Sequence, residues 1–369
     1  MTAAGSGTTG ADAARSRAFA VKIFLASLAS AELMAAYLGL KLGLYARLNQ
    51  LGWATAAQVA AGAELAPRYV REWLEQQAVA GFLQVEDQQA GADERRYRFP
   101  PGHAAVLAGL GGPWDMAPLA LLPVGGMAPV LPRLTAALRS GAGLPYADYG
   151  ADFRDAQALL NRSVFFDELP GWIAKLLPDV HARLAAESAR IADLACGAGW
   201  SSIALAQAYP AARVDGFDLD PESIAAAQRN AAGHGLGDRV RFAVGDAADL
   251  PGRGAYHLVC VFDSLHDMPQ PTEVLRCCRA LCAPQAAVLL MEPRAAPSFQ
   301  APGDETERFL YAISVLHCLP VGLHSQPSAA TGTVLRPSVV QDFAAQAGFR
   351  QARILPAEHR FHRLYRLDP

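Results

Sequence analysis

The chain has 369 residues, of which 52% are apolar and 18% are charged, and its formal net charge is −3. This length is sufficient for two domains with cores of their own, and the composition is that of an ordinary globular protein. The small net charge excludes a general electrostatic affinity for nucleic acid or for an anionic membrane surface.

The N-terminal part of the chain is predicted to be a short tail followed by helices. Residues 1–15 are small and polar and lack the order of a signal peptide, so we expect a disordered tail there. Two helices are predicted over 16–28 and 29–48. Charged residues interrupt this apolar stretch at Lys22, Glu32 and Lys41. We therefore expect no membrane span in it.

Residues 16–100 have the pattern of a winged-helix domain. Thr55 is placed to cap a short helix, and a second helix is predicted over 66–77. Two short strands, at 81–85 and 95–99, flank a polar hairpin and form the predicted wing.

The charges of this domain argue against a DNA-binding function. Seven basic and eight acidic residues lie between Ala31 and Phe99. The helix that would enter a DNA groove alternates the two signs, as at Arg71 and Glu72. A DNA-binding surface needs an excess of positive charge facing the phosphates, so nucleic acid is not an expected partner.

Residues 101–170 are predicted to link two domains and to form part of a substrate cover. The uncharged stretch 116–132 contains four prolines that we expect to break any spanning helix: Pro118, Pro123, Pro129 and Pro132. A helix is predicted over 156–168. The second domain is then expected over 171–369.

The second domain begins with a strand, a glycine turn and a helix. An apolar run reaches Asp193 and is followed by Gly197, Gly199 and a helical pattern from Ser201. Glycines are needed where a backbone must approach a ligand closely, and the following helix N-terminus offers free N–H groups. This stretch therefore predicts a nucleotide-type binding site.

The next strand indicates which ligand is bound. Asp218 lies 19 residues beyond Gly199, where open α/β sheets place the acid that holds ribose hydroxyls. The third position of the glycine motif is Ser202 rather than glycine, which disfavours a dinucleotide. Asp193 suits a ligand that carries an amino group. Both features favour S-adenosylmethionine (SAM) as the cofactor.

A catalytic candidate follows the fourth predicted strand. His266 lies just past the carboxyl end of that strand, the edge where open α/β sheets hold reacting groups. Methyl transfer requires alignment of the acceptor and removal of its proton, and a positioned imidazole can accept that proton.

The remainder of the domain contains a long insertion and a short C-terminal set of elements. A helix is predicted over 271–283 and a fifth strand over 286–293. The insertion, 294–336, is long enough to carry a function of its own. A helix at 337–347 and two strands close the chain.

The six cysteines of the chain show no zinc-binding spacing. They lie mostly in apolar contexts, without a C-x-x-C pair or a completing pair of histidines. We interpret them as reduced core residues, predict that the protein holds no metal and expect a cytoplasmic location.

Residues 191–294 resemble the class I SAM-dependent methyltransferases. The resemblance is carried by the glycine motif, by Asp218, by the segment 240–247 and by the segment 256–267. It implies a Rossmann-like, seven-stranded SAM methyltransferase domain behind the α-helical winged-helix domain. The residues that it assigns to the cofactor are Asp193, Ala195, Gly197, Gly199, Asp218, Leu219, Asp246, Ala247 and Asp263. Ala195 departs from the family, in which glycine is common at this position.

The N-terminal domain and the catalytic motif resemble those of small-molecule O-methyltransferases. This resemblance implies a homodimer formed through the winged-helix domain and a function in secondary metabolism. It also implies that His266 is the general base, that Glu292 orients it and that Asp267 belongs to the same motif. The second orienting acid of that family has no match around 332–336.

Four residues match substrate contacts of these O-methyltransferases or lie in the substrate cover. Asn161, Phe165 and Phe166 match a helix that precedes the SAM domain in the family, and His317 lies in the insertion. For the two phenylalanines, packing in the core is the alternative. For His317, the alternative is a purely local structural role.

Over its whole length the chain is similar to a bacterial group of winged-helix methyltransferases whose substrates are mostly unassigned. The segments 262–269, 315–322, 327–333 and 358–366 carry this similarity. We expect O-methylation of a small aromatic or polyketide-like acceptor. Methylation of nitrogen or carbon, or a reaction that SAM assists without methylation, stays open. A transcription regulator that senses SAM or a ligand is a third possibility.

Overall fold

The computed structural model describes residues 10–109, 112–186, 188–251 and 254–369. The chain divides into two compact units, Met1–Val124 and Gly125–Pro369. The elements of the first unit are α1 (Gly10–Lys41), α2 (Leu44–Leu51), β1 (Ala54–Thr55), α3 (Ala56–Ala63), α4 (Pro67–Val79), β2 (Gln84–Val85), β3 (Arg96–Arg98), α5 (Pro101–Leu107) and α6 (Ala117–Leu121).

The first helix differs from the sequence prediction. One helix, α1, replaces the two predicted over 16–28 and 29–48, because no proline or closely spaced glycines interrupt the run of good helix formers. The break comes instead at Gly43, whose φ of 66° is easily adopted by glycine. Since α1 begins at Gly10, the end of the predicted tail is helical, and the rest of that tail lies outside the described residues.

The winged-helix prediction is confirmed, with one additional strand. Thr55 caps α3 through a capping box with Gln58. The predicted wing strands are β2 and β3, but β1 also pairs with β3, so that the sheet has the order β1-β3-β2. The core of this unit includes Leu48, Leu74 and Tyr97, all fully buried.

The four prolines of the segment 116–132 do not break its helical structure. Pro118 and Pro129 lie in the first turns of α6 and of the later helix α7 (Ala128–Ser140), where their missing N–H is tolerated. A π-helical turn, Leu122–Met127, accommodates Pro123, and only Pro132 lies inside a helix. The expected interruption was therefore wrong.

Two helical stretches are long and apolar enough to cross a membrane by length and composition alone. They are Gly10–Lys41 and Ala117–Ser140. This is weak evidence for a span, because core helices and N-terminal leader segments pass the same test.

The second unit contains a seven-stranded sheet with helices on both faces. Its helices are α7 (Ala128–Ser140), α8 (Gly150–Leu160), α9 (Arg162–Asp167), α10 (Leu169–Leu176), α11 (Pro178–Leu184), α12 (Trp200–Ala208), α13 (Pro221–Gly233), α14 (Pro271–Leu281), α15 (Glu305–Ile313), α16 (Leu319–His324) and α17 (Pro337–Gln346). Its strands are β4 (Arg190–Leu194), β5 (Arg213–Asp218), β6 (Val240–Val244), β7 (Tyr256–Phe262), β8 (Cys282–Pro293), β9 (Gln351–Ile354) and β10 (His362–Asp368). The predicted C-terminal helix and strands are thus present.

The sheet has the order β6-β5-β4-β7-β8-β10-β9. The first five strands are parallel and β10 runs antiparallel to both neighbours. Alternate residues of the central strands feed two cores, with Ile191 and Leu258 on one face and Ala192 and Val259 on the other.

This order determines where a ligand can bind. Strand β5, which follows β4 in the sequence, lies on one side of β4 in the sheet, and β7 lies on the other side. A crevice forms at such a switch point, at the carboxyl ends of the strands. The carboxyl ends of β4, β5 and β7 meet there, and they contain several of the predicted site residues, among them Asp193, Asp218 and His266.

Candidate active site

The turn after β4 has the backbone conformation that ligand-binding glycine loops require. Ala195, Gly197 and Gly199 all have positive φ angles, of 54°, 52° and 79°. Ala195 therefore adopts the left-handed conformation at the position where relatives carry glycine. At Gly199 a Cβ atom would lie 2.5 Å from Phe242 Cζ and 2.9 Å from Ala227 Cβ, so glycine is needed for packing as well. Open space surrounds the Cβ position of Gly197.

Asp193, the residue before the last of β4, has a buried carboxyl group of which only one oxygen is hydrogen-bonded within the described part of the chain. Its Oδ2 accepts hydrogen bonds from Ser201 Oγ and Ser202 Oγ, both at 2.6 Å. Its Oδ1 is buried and has no hydrogen-bond partner among the described residues. Burial raises the pKa of Asp193 to about 6, although the two serines lower it. An ammonium group of a ligand would satisfy Oδ1.

Asp218 ends β5 and faces the same turn. Its carboxylate accepts hydrogen bonds from Gly197 N at 2.8 Å and from Asp220 N at 2.9 Å. Burial raises its pKa, and the backbone donors lower it. A carboxylate fixed in this way keeps lone pairs for the two hydroxyls of a ribose.

The other predicted cofactor residues lie on the loops around this crevice. Leu219 is exposed at 68% and follows Asp218 directly. Asp246 and Ala247 follow β6, where the Asp246 carboxylate accepts a hydrogen bond from Ala248 N at 2.9 Å. Asp263 follows β7 with a φ of 51°. Its Oδ2 accepts a hydrogen bond from Asn161 Nδ2 at 2.6 Å.

His266 and Glu292 form a buried pair next to this crevice. His266 lies in a 3-10 turn, Leu265–Asp267, directly after β7, and Glu292 lies near the end of β8. His266 Nδ1 is 2.7 Å from Glu292 Oε2, and Glu292 Oε1 accepts a hydrogen bond from Leu265 N at 2.9 Å. The relative exposures of the two residues are 4% and 0%. The structure thus places within hydrogen-bond distance the two residues to which the family resemblance assigns a catalytic role.

Burial and the neighbouring groups act in opposite directions on the pKa values of this pair, and the net pKa of Glu292 lies above its usual value. Burial lowers the pKa of His266, but Glu292 and the neighbouring Cys318 thiol raise it, and the net pKa is well above its usual value. Burial raises the pKa of Glu292, whereas His266 lowers it. Asp267 is half-buried next to them, and burial raises its pKa to about 7.

The insertion packs directly on the His266 turn. Thr331 Oγ1 donates to His266 O at 2.7 Å, and Ala329 N donates to Pro269 O at 2.8 Å. The π-helical turn Ser314–Cys318 brings His317 and Cys318 to the same place. Sequence analysis missed Cys318 as a neighbour of His266, and its position in the segment 315–322 was the available signal.

Aromatic side chains surround His317 within the second unit. Its ring stacks on Phe153 at a centroid distance of 4.2 Å, with Tyr149 at 4.6 Å and Tyr146 at 6.0 Å. His317 Nε2 is buried and has no hydrogen-bond partner among the described residues. Burial and the charge of His266 lower its pKa to about 3, so the ring is neutral. These three aromatic residues were not predicted as site residues.

Two predicted substrate residues lie in the packed interior. Phe165 belongs to the core on one face of the sheet, and its ring contacts that of Phe262 at 5.6 Å. Phe166 packs on that core between Trp200 and His234. Phe165 is buried and Phe166 is half-buried at the edge of the core, so their placement favours the packing interpretation. Asn161 instead reaches the loop after β7.

Two family models match the chain. The model described as "Methyltransferase domain" matches residues 191–285. The model described as "Rv2258c-like winged HTH domain" matches residues 29–109. The first covers the glycine turn, Asp218 and His266, and the second covers most of the first unit.

Individual proteins show the same relationship. The chain is 30% identical over 196 residues to a ubiquinone biosynthesis O-methyltransferase of Bordetella avium, which is 51% of this chain and 70% of that protein. The solved structure of PigF with SAH superposes with a TM-score of 0.70 at 21% identity, over 95% of this chain and 98% of that one. Human N-acetylserotonin methyltransferase in complex with SAM gives a TM-score of 0.67 at 16% identity, over 100% and 99% of the two chains.

Proposed function

The chain belongs to the class I SAM-dependent methyltransferases that carry an N-terminal winged-helix domain, and on this premise we propose that it methylates an oxygen atom of a small acceptor with His266 as general base. The enzyme class and the cofactor follow from the family. The acceptor, the reacting atom and the role of His266 are the proposal. The observation that carries it is the buried His266–Glu292 pair at the end of β7.

The residues around the switch point fit SAM. The unpartnered Asp193 Oδ1 suits an ammonium group, the Asp218 carboxylate suits ribose hydroxyls, and the open Cβ position of Gly197 leaves room for a ligand. In this proposal Asp246 lies beside the adenine ring of SAM, and Asp263 lies near the methyl group that is transferred. SAM supplies an electrophilic methyl group, and its leaving group departs without charge.

His266 is suited to remove the acceptor proton. Because its neighbours raise its pKa, His266 must first release the Nε2 proton. The neutral imidazole then donates Nδ1–H to Glu292 and carries a lone pair on Nε2. Glu292 also stabilises the positive charge that the ring gains when it accepts a proton. The backbone bond from Leu265 N to Glu292 holds the carboxylate itself in place. Glu292 is thus a positioning residue, and Asp267 borders the ring.

The aromatic side chains packed around His317, close to His266, support an aromatic acceptor. Tyr146, Tyr149 and Phe153 surround His317, and the loop that carries His317 continues to Cys318 beside the base. Planar aromatic surfaces favour flat, apolar acceptors with few polar groups. The names of the relatives, which include O-methyltransferases, support transfer to oxygen.

The test compares His266→Ala and Glu292→Gln with the wild-type enzyme. A panel of phenols, amines and carbon acids is incubated with methyl-labelled SAM, and methyl incorporation is measured. General-base assistance contributes roughly a hundred- to ten-thousand-fold, so His266→Ala should lose that factor on phenols. Glu292→Gln should lose less, because the imidazole is still present. SAM binding, measured by calorimetry, should be nearly unchanged in both.

The matched control is His181→Ala, since His181 lies on α11 and its ring is hydrogen-bonded to Tyr209 Oη. This variant should retain the wild-type rate. Full activity of His266→Ala on the best acceptor would rule out the base mechanism and leave positioning as the catalytic effect.

A second candidate function keeps the cofactor and changes the reaction. The described residues place Glu292 and the Cys318 thiol beside the His266 ring, and the second orienting acid of the O-methyltransferases has no match around 332–336. This favours N- or C-methylation, or a SAM-assisted reaction without methylation. Mass spectrometry of products from the same panel distinguishes these reactions by the methylated atom or by turnover without SAH release.

We also propose that the enzyme is a cytoplasmic homodimer. Phe19, Phe24 and Leu25 on α1 are exposed by 62%, 66% and 56%, and a second copy would cover such an apolar face. All six cysteines are free, which supports a reducing compartment.

The alternative function, a transcription regulator, would require DNA binding. An electrophoretic mobility assay with genomic fragments at several salt concentrations tests it.

A further inference from the structure

Three potential metal ligands converge beside the catalytic pair. His266, Asp267 and Cys318 each offer one ligand atom, and these atoms all lie within 4.8 Å of one another. They come from two separate segments, the 3-10 turn after β7 and the π-helical turn Ser314–Cys318. The base mechanism uses one of these three groups and gives no role to the thiol.

The surroundings of His266 match those of a metal-binding histidine. Its Nδ1 is engaged with Glu292 at 2.7 Å, so Nε2 is the atom left to bind a ligand. Histidines that bind zinc commonly donate the other ring N–H to a carboxylate, which fixes the ring and makes the ligand more basic. Thr331 holds the backbone of the same residue through His266 O. The ring is therefore already oriented.

The donor set selects the type of ion. One imidazole nitrogen, one carboxylate oxygen and one thiolate suit Zn²⁺, whereas Mg²⁺ and Ca²⁺ prefer oxygen alone. In a tetrahedral zinc site the ligand atoms are about 3.3–3.8 Å apart, as bond lengths near 2.0 and 2.3 Å require. The observed spread of up to 4.8 Å needs only a small inward movement of two turns. A fourth position stays open for water.

We propose that His266, Asp267 and Cys318 form a Zn²⁺ site and that zinc bound there inhibits the enzyme. On binding, Cys318 Sγ and His266 Nε2 each release a proton to the solvent, as does Asp267 when its carboxyl group is protonated. The thiolate, the imidazole Nε2 and the carboxylate then donate electron pairs to the ion. The inhibitory part rests on the proposed function, because zinc on Nε2 occupies the lone pair that removes the acceptor proton. The binding part is independent of it.

The experiment measures binding without using activity. The full-length wild-type enzyme, Cys318→Ser and Asp267→Asn are titrated with Co²⁺, which gives a thiolate charge-transfer band only when sulfur is bound. Zinc affinity is then measured by competition with a chromophoric chelator. The matched control is Cys277→Ser, because Cys277 is a half-buried thiol on α14 whose hydrogen-bond partner is Leu250 O.

We expect one tight zinc equivalent and a thiolate band in the wild type and in Cys277→Ser. Cys318→Ser should lose the band, and both Cys318→Ser and Asp267→Asn should bind zinc at least about tenfold more weakly. A wild type without the band, or variants with unchanged zinc affinity, would overturn the site. Inhibition is measured against the metal-free rate of each variant. Tight binding without inhibition would overturn the inhibitory part, and the rate of metal-free His266→Ala then shows separately whether the base mechanism fails.

Discussion

The substitution Asp193→Asn should change how the stability of the methyltransferase unit depends on pH. Burial raises the pKa of Asp193 from 3.8 to about 6 in the folded protein. Between these values the unfolded chain releases the carboxyl proton and the folded protein retains it. The stabilisation from the neutral carboxyl is therefore complete below pH 3.8 and is lost as the pH rises through about 6. Asparagine does not titrate, so the variant lacks this loss.

The magnitude follows from the shift. A shift of one pKa unit corresponds to 1.36 kcal/mol, so the change from 3.8 to about 6 amounts to about 3 kcal/mol in full. Between pH 4.5 and 7.5 the part that is lost is about 2 kcal/mol. The asparagine amide oxygen can keep the hydrogen bonds from Ser201 and Ser202. Its amide nitrogen takes the place of the unpartnered Oδ1, and any loss of stability from this change does not depend on pH.

The assay is native-state amide hydrogen exchange of peptides that cover β4 and α12, without SAM. Exchange isolates this unit, because two units need not unfold in one transition. Wild type and variant are compared at the same pH, so that the intrinsic exchange rate cancels. As the pH rises from 4.5 to 7.5, the free energy of unfolding measured by exchange should increase in the variant by about 2 kcal/mol relative to that of the wild type. Asp342→Asn, a substitution of an exposed carboxylate, is the control. Identical pH profiles for wild type and Asp193→Asn would refute the reasoning.

Three further predictions concern the cofactor site and the N-terminal helix. Asp218→Ala should weaken SAM binding in titration calorimetry by tenfold or more. Hydrogen bonds to a charged group contribute roughly 1.5–3 kcal/mol, and the variant also loses the hydrogen bond from Gly197 N. Unchanged affinity would contradict the assignment of Asp218 to the ribose. Gly199→Ala should lower the free energy of unfolding by about 2–4 kcal/mol, through left-handed strain and the clash with Phe242, whereas an unchanged chemical denaturation curve would show that the turn relaxes at no cost. Phe24→Asp should convert a dimer to a monomer in light scattering, and a wild type that is monomeric at micromolar concentration would end the dimer hypothesis.

Features that depend on neighbours along the chain could be predicted from the sequence. The strand, glycine turn and helix around Gly197 follow from hydrophobic periodicity and from residues that tolerate positive φ. The cap at Thr55 is local for the same reason. His266 could be placed at the sheet edge because the residue after a parallel strand always emerges there.

Local rules failed where packing or helix context overrode them. The helical run Ala117–Ser140 passes through its prolines because a π-helical turn absorbs the missing donor, which residue preferences do not reveal. Phe165 matched a substrate position, but the sheet face buries it against Phe262.

The sequence by itself determined the family, the cofactor and the order of elements, since each depends on short motifs whose geometry is local. Only the tertiary structure decided which residues surround His266. His266 lies 26 residues from Glu292, and the two meet because β7 and β8 are parallel neighbours whose carboxyl ends coincide. Cys318 reaches the same ring through an insertion that packs on the His266 turn. Such contacts depend on where a long loop packs against the rest of the domain, and the hydrophobic periodicity of the loop does not predict that position.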